Sequence, residues 1–216
     1  RRTLQNRAIE VAVIENDNAS LLLEGLAYDQ CQVGIVLNID PLKLFPEHNI
    51  SEEDQLFNVV RTQVDVVLPT GTSVLNADDA MIVKMAELSK GEVMYFSQDP
   101  NSSVIASHQE KDGRSMIVSP SVITLKQGKL DALVIPIPPA VQGSSLDWAP
   151  NLSLAAAIGA AWALDIPFNV IEAGVETSFP TPILQQVLNW KSPYSHVAWP
   201  EFMEPPYRPR GHCFLR

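Results

Sequence analysis

The sequence lacks the features that define several large classes of protein. Its two cysteines, Cys31 and Cys213, stand in no metal-ligand spacing, so we expect neither a disulfide scaffold nor a zinc site. No apolar run approaches the roughly 18 residues of a membrane span, and no apolar signal segment follows the Arg1-Arg2 start. The 15 basic residues are outnumbered by 25 acidic ones, which argues against a surface for nucleic acid or anionic membrane. These absences predict a soluble, cytoplasmic protein.

Charge and proline content both change after about Thr177. The last 39 residues hold 4 basic and 2 acidic side chains and 7 of the 17 prolines, which leaves 11 basic and 23 acidic side chains in residues 1–177. Proline removes backbone donors and blocks long helices. We therefore predict one domain over residues 1–177 and a separate tail over residues 178–216. The tail should be irregular apart from a short helix near residues 183–189.

The first part of the chain alternates short apolar runs with helical patterns. Apolar runs that do not alternate with polar residues are typical of strands buried on both faces of a parallel sheet. The fold class that follows is α/β: a largely parallel sheet flanked by helices, with a small antiparallel region. Strands are predicted at residues 9–15, 33–39, 64–68, 73–75 and 92–96, and helices at 19–26, from 51 onward, at 80–89, 151–164 and 168–176.

Turn and cap residues separate these elements. Gly25 should end the first helix, and the Ser51 hydroxyl should cap the second. A turn is expected at Pro69-Thr70-Gly71, and the Asp78-Asp79 pair should begin the next helix. Residues 104–138 contain Asp112-Gly113 and Gln127-Gly128, which predict hairpin turns between short strands.

Three stretches carry a resemblance to a known family. They read VIENDNASLLLEGLAYDQCQVGIVLNID (13–40), RTQVDVVLPTGTSVLNADD (61–79) and NLSLAAAIGAAWAL (151–164). In this order they resemble the Mur-ligase-like half of bacterial cyanophycin synthetases, over roughly residues 1–177. The resemblance implies a fold like the central domain of Mur ligases. It also implies that ATP phosphorylates a carboxylate, which the amine of an amino acid such as arginine then attacks on a poly-aspartate backbone.

The resemblance also implies candidate site residues, although it assigns no catalytic residue. Glu15 ends a strand where the family places an acid near ATP-bound Mg²⁺, a cation that prefers oxygen ligands; the alternative is a solvated strand end. Asn76, Asp78 and Asp79 match a turn near the nucleotide; the alternative is that Asp78 only caps the following helix. Asn151 matches an asparagine that reads the adenine edge, and it is equally suited to cap its own helix.

Three departures from the family pattern count against activity. The chain contains no G-x-x-x-x-G-K-[ST] segment, which would cradle phosphates. Leu44 stands where the family has a metal-associated histidine, and His48 lies four residues further on. The family's D-Y-A-H-N-P region is not found after residue 177.

We therefore expect a fragment of such a ligase, incomplete and inactive alone, with ATP and Mg²⁺ as implied cofactors. Its implied partners are nucleotide, a cyanophycin-type polymer, an amino acid and a possible second copy of the chain. The alternative is a non-catalytic module, derived from a ligase, that binds nucleotide or serves as an interaction surface.

Overall fold

Eight strands lie in one sheet within residues 8–39, 44–138, 150–178 and 211–215, the part of the chain that this computed structural model describes. The spatial order is β1-β8-β2-β3-β4-β5-β6-β7, in which β2 to β5 are parallel and β6 and β7 are antiparallel. The predicted fold class is confirmed. The strands are β1 (Ala12–Glu15), β2 (Cys31–Val36), β3 (Val67–Asn76), β4 (Glu92–Ser97), β5 (Arg114–Val118), β6 (Val122–Gln127), β7 (Leu130–Pro136) and β8 (Gly211–Leu215).

Helices cover both faces of this sheet. Buried side chains of α2 to α5 pack on one face, and those of α6 and α7 pack on the other. The parallel strands are therefore apolar on both sides, which explains their continuous rather than alternating pattern. The helices are α1 (Asn18–Glu24), α2 (Glu53–Val60), α3 (Thr62–Asp65), α4 (Ala80–Met85), α5 (Ser103–Gln109), α6 (Pro150–Ala163) and α7 (Phe168–Ser178), with single 3₁₀ turns at Pro46–His48 and Ala86–Leu88. No helix in the described ranges is long and apolar enough to cross a membrane.

The ends of the first two helices show how local sequence sets their limits. Asp17 precedes α1 and accepts hydrogen bonds from the backbone N–H groups of Ala19 and Ser20, both at 3.0 Å. Gly25 ends α1 at a φ of 70°, as predicted. The predicted Ser51 cap is wrong, because α2 begins after Glu52.

The strand predicted at residues 64–68 is also wrong at its start. Val64 is buried in α3, and β3 begins only at Val67 and runs through the predicted turn at residues 69–71. The pairing of β2 with β3 shifts there, from Cys31 opposite Val67 to Val33 opposite Thr72. The turn residues therefore form an irregularity inside one long strand, not a break between two strands.

Residues 104–138 contain a helix that the sequence did not predict. Ser102 caps α5, and Asp112-Gly113 leads from this helix into β5, which pairs in parallel with β4. The hairpin predicted at Asp112-Gly113 is therefore wrong. The hairpin at Gln127-Gly128 is confirmed, since β6 and β7 are antiparallel and Gly128 has a φ of 54°.

The tail differs from the prediction where it is described. Gly211–Leu215 forms β8, which pairs antiparallel with both β1 and β2 instead of being irregular. Without β8, the facing edges of β1 and β2 would have unpaired backbone groups. A strand between them therefore gains hydrogen bonds on both of its sides. The helix predicted near residues 183–189 lies outside the described residues, and the division at residue 177 stays a prediction.

The small-residue helix predicted at residues 151–164 is confirmed as α6. A Cβ added at Gly159 would lie 2.6 Å from the Met116 Cε and 3.0 Å from a Val74 methyl group. The helix therefore sits so close to β3 and β5 that this position has no room for a branched side chain.

We expect Gly159→Val to lower the free energy of unfolding by about 1–3 kcal/mol, because the added methyl groups overpack this contact. Gly174→Val in α7 is the matched control, since a Cβ at Gly174 meets nothing within 4 Å. Urea unfolding followed by circular dichroism measures both variants. Equal loss of stability in the two variants would contradict the close packing of α6.

Candidate active site

The carboxyl ends of β2, β3 and β4 meet at one edge of the sheet. This edge is formed by residues 37–39 after β2, by residues 76–79 from the last residue of β3 onward, and by residues 97–102 from the last residue of β4 onward. Open α/β sheets bind ligands in the crevice outside the carboxyl ends of their parallel strands. This edge is therefore the candidate site.

A polar cavity of about 590 Å³ opens between the ends of β3 and β4. It is lined by Ala77, Asp78, Gln98, Asp99 and Ser102. Two carboxylates, one amide and one hydroxyl supply both hydrogen-bond donors and acceptors, and only Ala77 is apolar. Such a lining suits a hydroxyl-rich or amide-rich ligand more than an apolar one.

Asn76, the last residue of β3, links the end of β2 to the turn that lines this cavity. The buried Asn76 side chain donates from Nδ2 to the Leu37 carbonyl at 2.9 Å. Its Oδ1 accepts from the Asp78 backbone N–H, also at 2.9 Å. Both the nitrogen and the oxygen of the Asn76 amide are therefore bonded to backbone groups. These bonds hold the end of β2 against the end of β3.

The side chains of Asp78 and Asp79 bind different parts of the chain. The exposed Asp78 accepts from the Ser97 hydroxyl and, at 2.8 Å, from the Gln98 backbone N–H, so it joins the end of β3 to the end of β4. Asp79 caps α4, since its Oδ1 accepts from the Met81 N–H at 2.8 Å. The alternative that Asp78 only caps the helix is therefore wrong.

Asn151 is the second residue of α6, not the residue before the helix, so the alternative that it caps this helix is wrong. Its Oδ1 atom is buried and has no hydrogen-bond partner among the described residues. A buried acceptor without a partner costs about 1–3 kcal/mol. This unpartnered acceptor therefore fits a ligand that offers a hydrogen-bond donor.

Glu15 lies exposed at the end of β1. The next residue, Asn16, is buried and donates to the Tyr28 hydroxyl at 2.8 Å and to Gln63 Oε1 at 3.2 Å, so the strand end is held in place. No group of three His, Cys, Asp or Glu side chains within the described ranges could hold a metal by itself. Glu15 offers one carboxylate, which fits the way Mg²⁺ binds through one or two carboxylates plus phosphate oxygens and waters.

The two positions near the expected metal histidine differ in their surroundings. Leu44 is partly buried and packs against the core beneath α2 and α4, so this position is apolar. His48 is exposed at the end of a 3₁₀ turn, and its role in place of the family's histidine stays a prediction.

Sequence reasoning missed the part of the cavity that follows β4. Gln98, Asp99 and Ser102 line the cavity, and the buried Ser97 accepts from the Asp99 N–H at 2.9 Å. The signal was available, because the polar run Ser-Gln-Asp-Pro stands directly after a predicted buried strand. In a parallel sheet, that position falls on the same edge as the turn after β3.

No protein-family profile matches the chain, but several known proteins are similar to it. The chain is 38% identical over 128 residues to cyanophycin synthetase of Crocosphaera subtropica, covering 58% of this chain and 14% of that protein. It is 33% identical over 181 residues to cyanophycin synthetase of Synechocystis sp., covering 81% of this chain and 20% of that protein. Two crystal structures of MurF from Acinetobacter baumannii are similar at TM-scores of 0.46, with 16–17% identity over 69–70% of this chain and 29–30% of theirs.

The sheet and its crevice define an open α/β domain with a candidate site at the carboxyl ends of its parallel strands. By sequence, the chain is similar to one segment of the cyanophycin synthetases. It spans about one seventh to one fifth of the length of these relatives.

His108 lies in α5, outside the candidate site, and its pKa provides a test of the fold around it. Burial lowers its pKa from the usual 6.5; backbone hydrogen bonds to Arg114 and Val93 and the charge of Glu92 act in the opposite direction without outweighing it. The unfolded chain therefore takes up a proton at higher pH than the folded chain, so stability falls as the pH drops from about 7 to 5.

We expect His108→Gln to flatten the dependence of unfolding free energy on pH between about 7 and 5, because Gln does not titrate. Urea unfolding of both proteins across this range measures the slope. The prediction fails if the variant keeps the same slope as the original chain.

Proposed function

We propose that this chain is part of an ATP-dependent amide ligase of cyanophycin synthetase type, and that its carboxyl edge forms one side of the nucleotide site. The relation to cyanophycin synthetases supports the reaction class. In that reaction ATP transfers a phosphoryl group to a side-chain carboxylate of a poly-aspartate backbone. The amine of an amino acid such as arginine then attacks the acyl phosphate, forms the amide bond and releases phosphate.

The unpartnered Oδ1 of Asn151 is the observation that carries the nucleotide assignment. A side-chain amide both donates and accepts, as the edge of an adenine ring also does. A bound base would supply the donor that this buried oxygen lacks. Asn151 would then position the base rather than take part in bond making.

Asp78 contributes an acceptor at the rim of the cavity. Its two oxygens accept one hydrogen bond each from Ser97 and Gln98, and a carboxylate has about four acceptor positions. The remaining positions suit the hydroxyl groups of a ribose. Asn76 supports this role indirectly, because its Oδ1 holds the backbone N–H of Asp78.

Mg²⁺ would enter with the phosphates, and Glu15 is the residue of this chain that would hold it. The metal would supply charge neutralisation to the transferred phosphoryl group. The chain's own residues would bind and orient the nucleotide, while the phosphate cradle would have to come from a segment that this sequence does not contain.

A second candidate is a non-catalytic nucleotide-binding or interaction module derived from a ligase. In that case residues 1–177 would bind nucleotide without chemistry, and the tail over residues 178–216 would have a separate role. The two candidates differ in whether a segment with the phosphate loop belongs to the same protein.

We expect no ATP hydrolysis above background from the purified chain with Mg²⁺, arginine and a cyanophycin primer, because phosphoryl transfer depends on positioning of the phosphates. A phosphate-release assay measures this. Robust turnover would overturn the proposal that the chain is inactive alone.

We expect Asn151→Ala to weaken binding of Mg·ATP by about tenfold, the effect of one lost hydrogen bond in a buried site. Isothermal titration of both proteins measures the affinity, and thermal unfolding should show no loss of stability. Asn169→Ala on the exposed surface of α7 is the matched control. Unchanged affinity in Asn151→Ala would remove this residue from the site.

A further inference from the structure

Two side chains hold the backbone on either side of Asn38, which follows β2. The Leu37 carbonyl accepts from Asn76 Nδ2 at 2.9 Å. The Ile39 N–H donates to Asp79 Oδ2 at 3.3 Å. These two backbone groups belong to the two peptide planes that meet at the Asn38 Cα, so both planes are held by the turn after β3.

Holding both planes fixes the direction of the Cα–Cβ bond of Asn38, and therefore the side of the backbone from which its side chain extends. Because peptide groups are planar, the torsions φ and ψ of one residue are set once its two neighbouring planes are set. Leu37 and Ile39 are buried on either side, whereas Asn38 is exposed. Its amide has no hydrogen-bond partner among the described residues, so this strand end presents an uncommitted donor and acceptor at the candidate site.

Asp79 performs more than the task of a helix cap. A cap needs one side-chain oxygen to accept from the first backbone N–H groups of the helix, and Oδ1 of Asp79 does this for Met81 and Ile82. The second oxygen reaches back 40 residues along the chain to Ile39. Stability of α4 does not require that second bond, whereas the position of Asn38 depends on it.

We propose that Asn38 contacts the nucleotide at the carboxyl edge through its side-chain amide, and that Asn76 and Asp79 are positioning residues that hold it there. This inference rests on the proposed function and deepens it. The group recognised is an oxygen of the nucleotide, to which Nδ2 of Asn38 donates. Asn76 and Asp79 act on the ligand through the segment Leu37–Ile39 without touching it.

The isosteric change Asp79→Asn separates the two tasks of Asp79. Asparagine is as good a helix cap as aspartate, so Oδ1 still accepts from Met81 and Ile82. Its amide nitrogen, however, faces the Ile39 N–H as a second donor and cannot accept from it. Hydrogen exchange of the full chain should show faster exchange at Ile39 with unchanged protection at Met81 and Ile82. Unchanged exchange at Ile39 would overturn the positioning role of Asp79.

Titration with Mg·ATP, followed by NMR, tests the contact itself. Asn38→Ala should weaken binding about threefold to tenfold, the effect of one hydrogen bond to an exposed ligand, and should leave the thermal unfolding midpoint unchanged. Asn58→Ala on the exposed side of α2 is the matched control. Equal affinity in Asn38→Ala and the original chain would overturn the inference and leave the proposed function standing. Absence of binding by the original chain would overturn both.

A double-mutant cycle distinguishes positioning from a merely structural role. If Asp79 acts through Asn38, Asp79→Asn weakens binding in the original chain but has no further effect in the Asn38→Ala background. If Asp79→Asn only loosens the fold, its effect persists in both backgrounds, and the positioning role is overturned.

Discussion

The turn from Asn76 to Asp79 is the constraint on which the rest of the candidate site depends. Parallel strands end at one edge with backbone groups that have no partner in the next strand. In this protein the side chains of one four-residue turn satisfy such groups on both sides: Asn76 and Asp79 bind the segment after β2, and Asp78 binds the start of the segment after β4. Three strand ends therefore keep fixed relative positions, and the cavity between them keeps its shape.

A second network holds the opposite edge of the sheet. Arg114, at the start of β5, makes two charge-assisted hydrogen bonds to Glu92 at 2.6 and 2.7 Å and one to the Thr72 hydroxyl at 3.2 Å. Its guanidinium lies 5.3 Å from the centre of the Trp162 ring, and it also donates to the Trp162 carbonyl near the end of α6. Glu92 is exposed, so the ion pair alone contributes little. Arg114 matters mainly for geometry, since its side chain joins the starts of β4 and β5 and the middle of β3 to the end of α6.

Much of the architecture could be predicted because its signals are local. The apolar run of β2, the glycine that ends α1 and the alanine-rich pattern of α6 each determine one element without help from distant residues. The failures have a common cause. Val64 and Ile105 are β-branched residues that favour strands in isolation, yet they lie in α3 and α5, because packing on the sheet outweighs intrinsic preference.

The site was harder to predict than the fold because hydrogen-bond partners are distant in sequence. The motif resemblance selected Asn76, Asp78 and Asn151, but sequence alone does not show that Asn76 reaches Leu37. It also does not distinguish which of two adjacent aspartates caps a helix, because both precede α4 and both are good caps. The unpartnered oxygen of Asn151 became visible only from the packing of α6.

The most direct test of this account is a map of NMR chemical-shift changes over the whole chain during titration with Mg·ATP. The account predicts that the changes cluster at the carboxyl edge, at residues 37–39, 76–79 and 97–102, and at Asn151 near the start of α6. Changes that cluster instead around Arg114 and Glu92 at the opposite edge, or no changes at millimolar nucleotide, would contradict it.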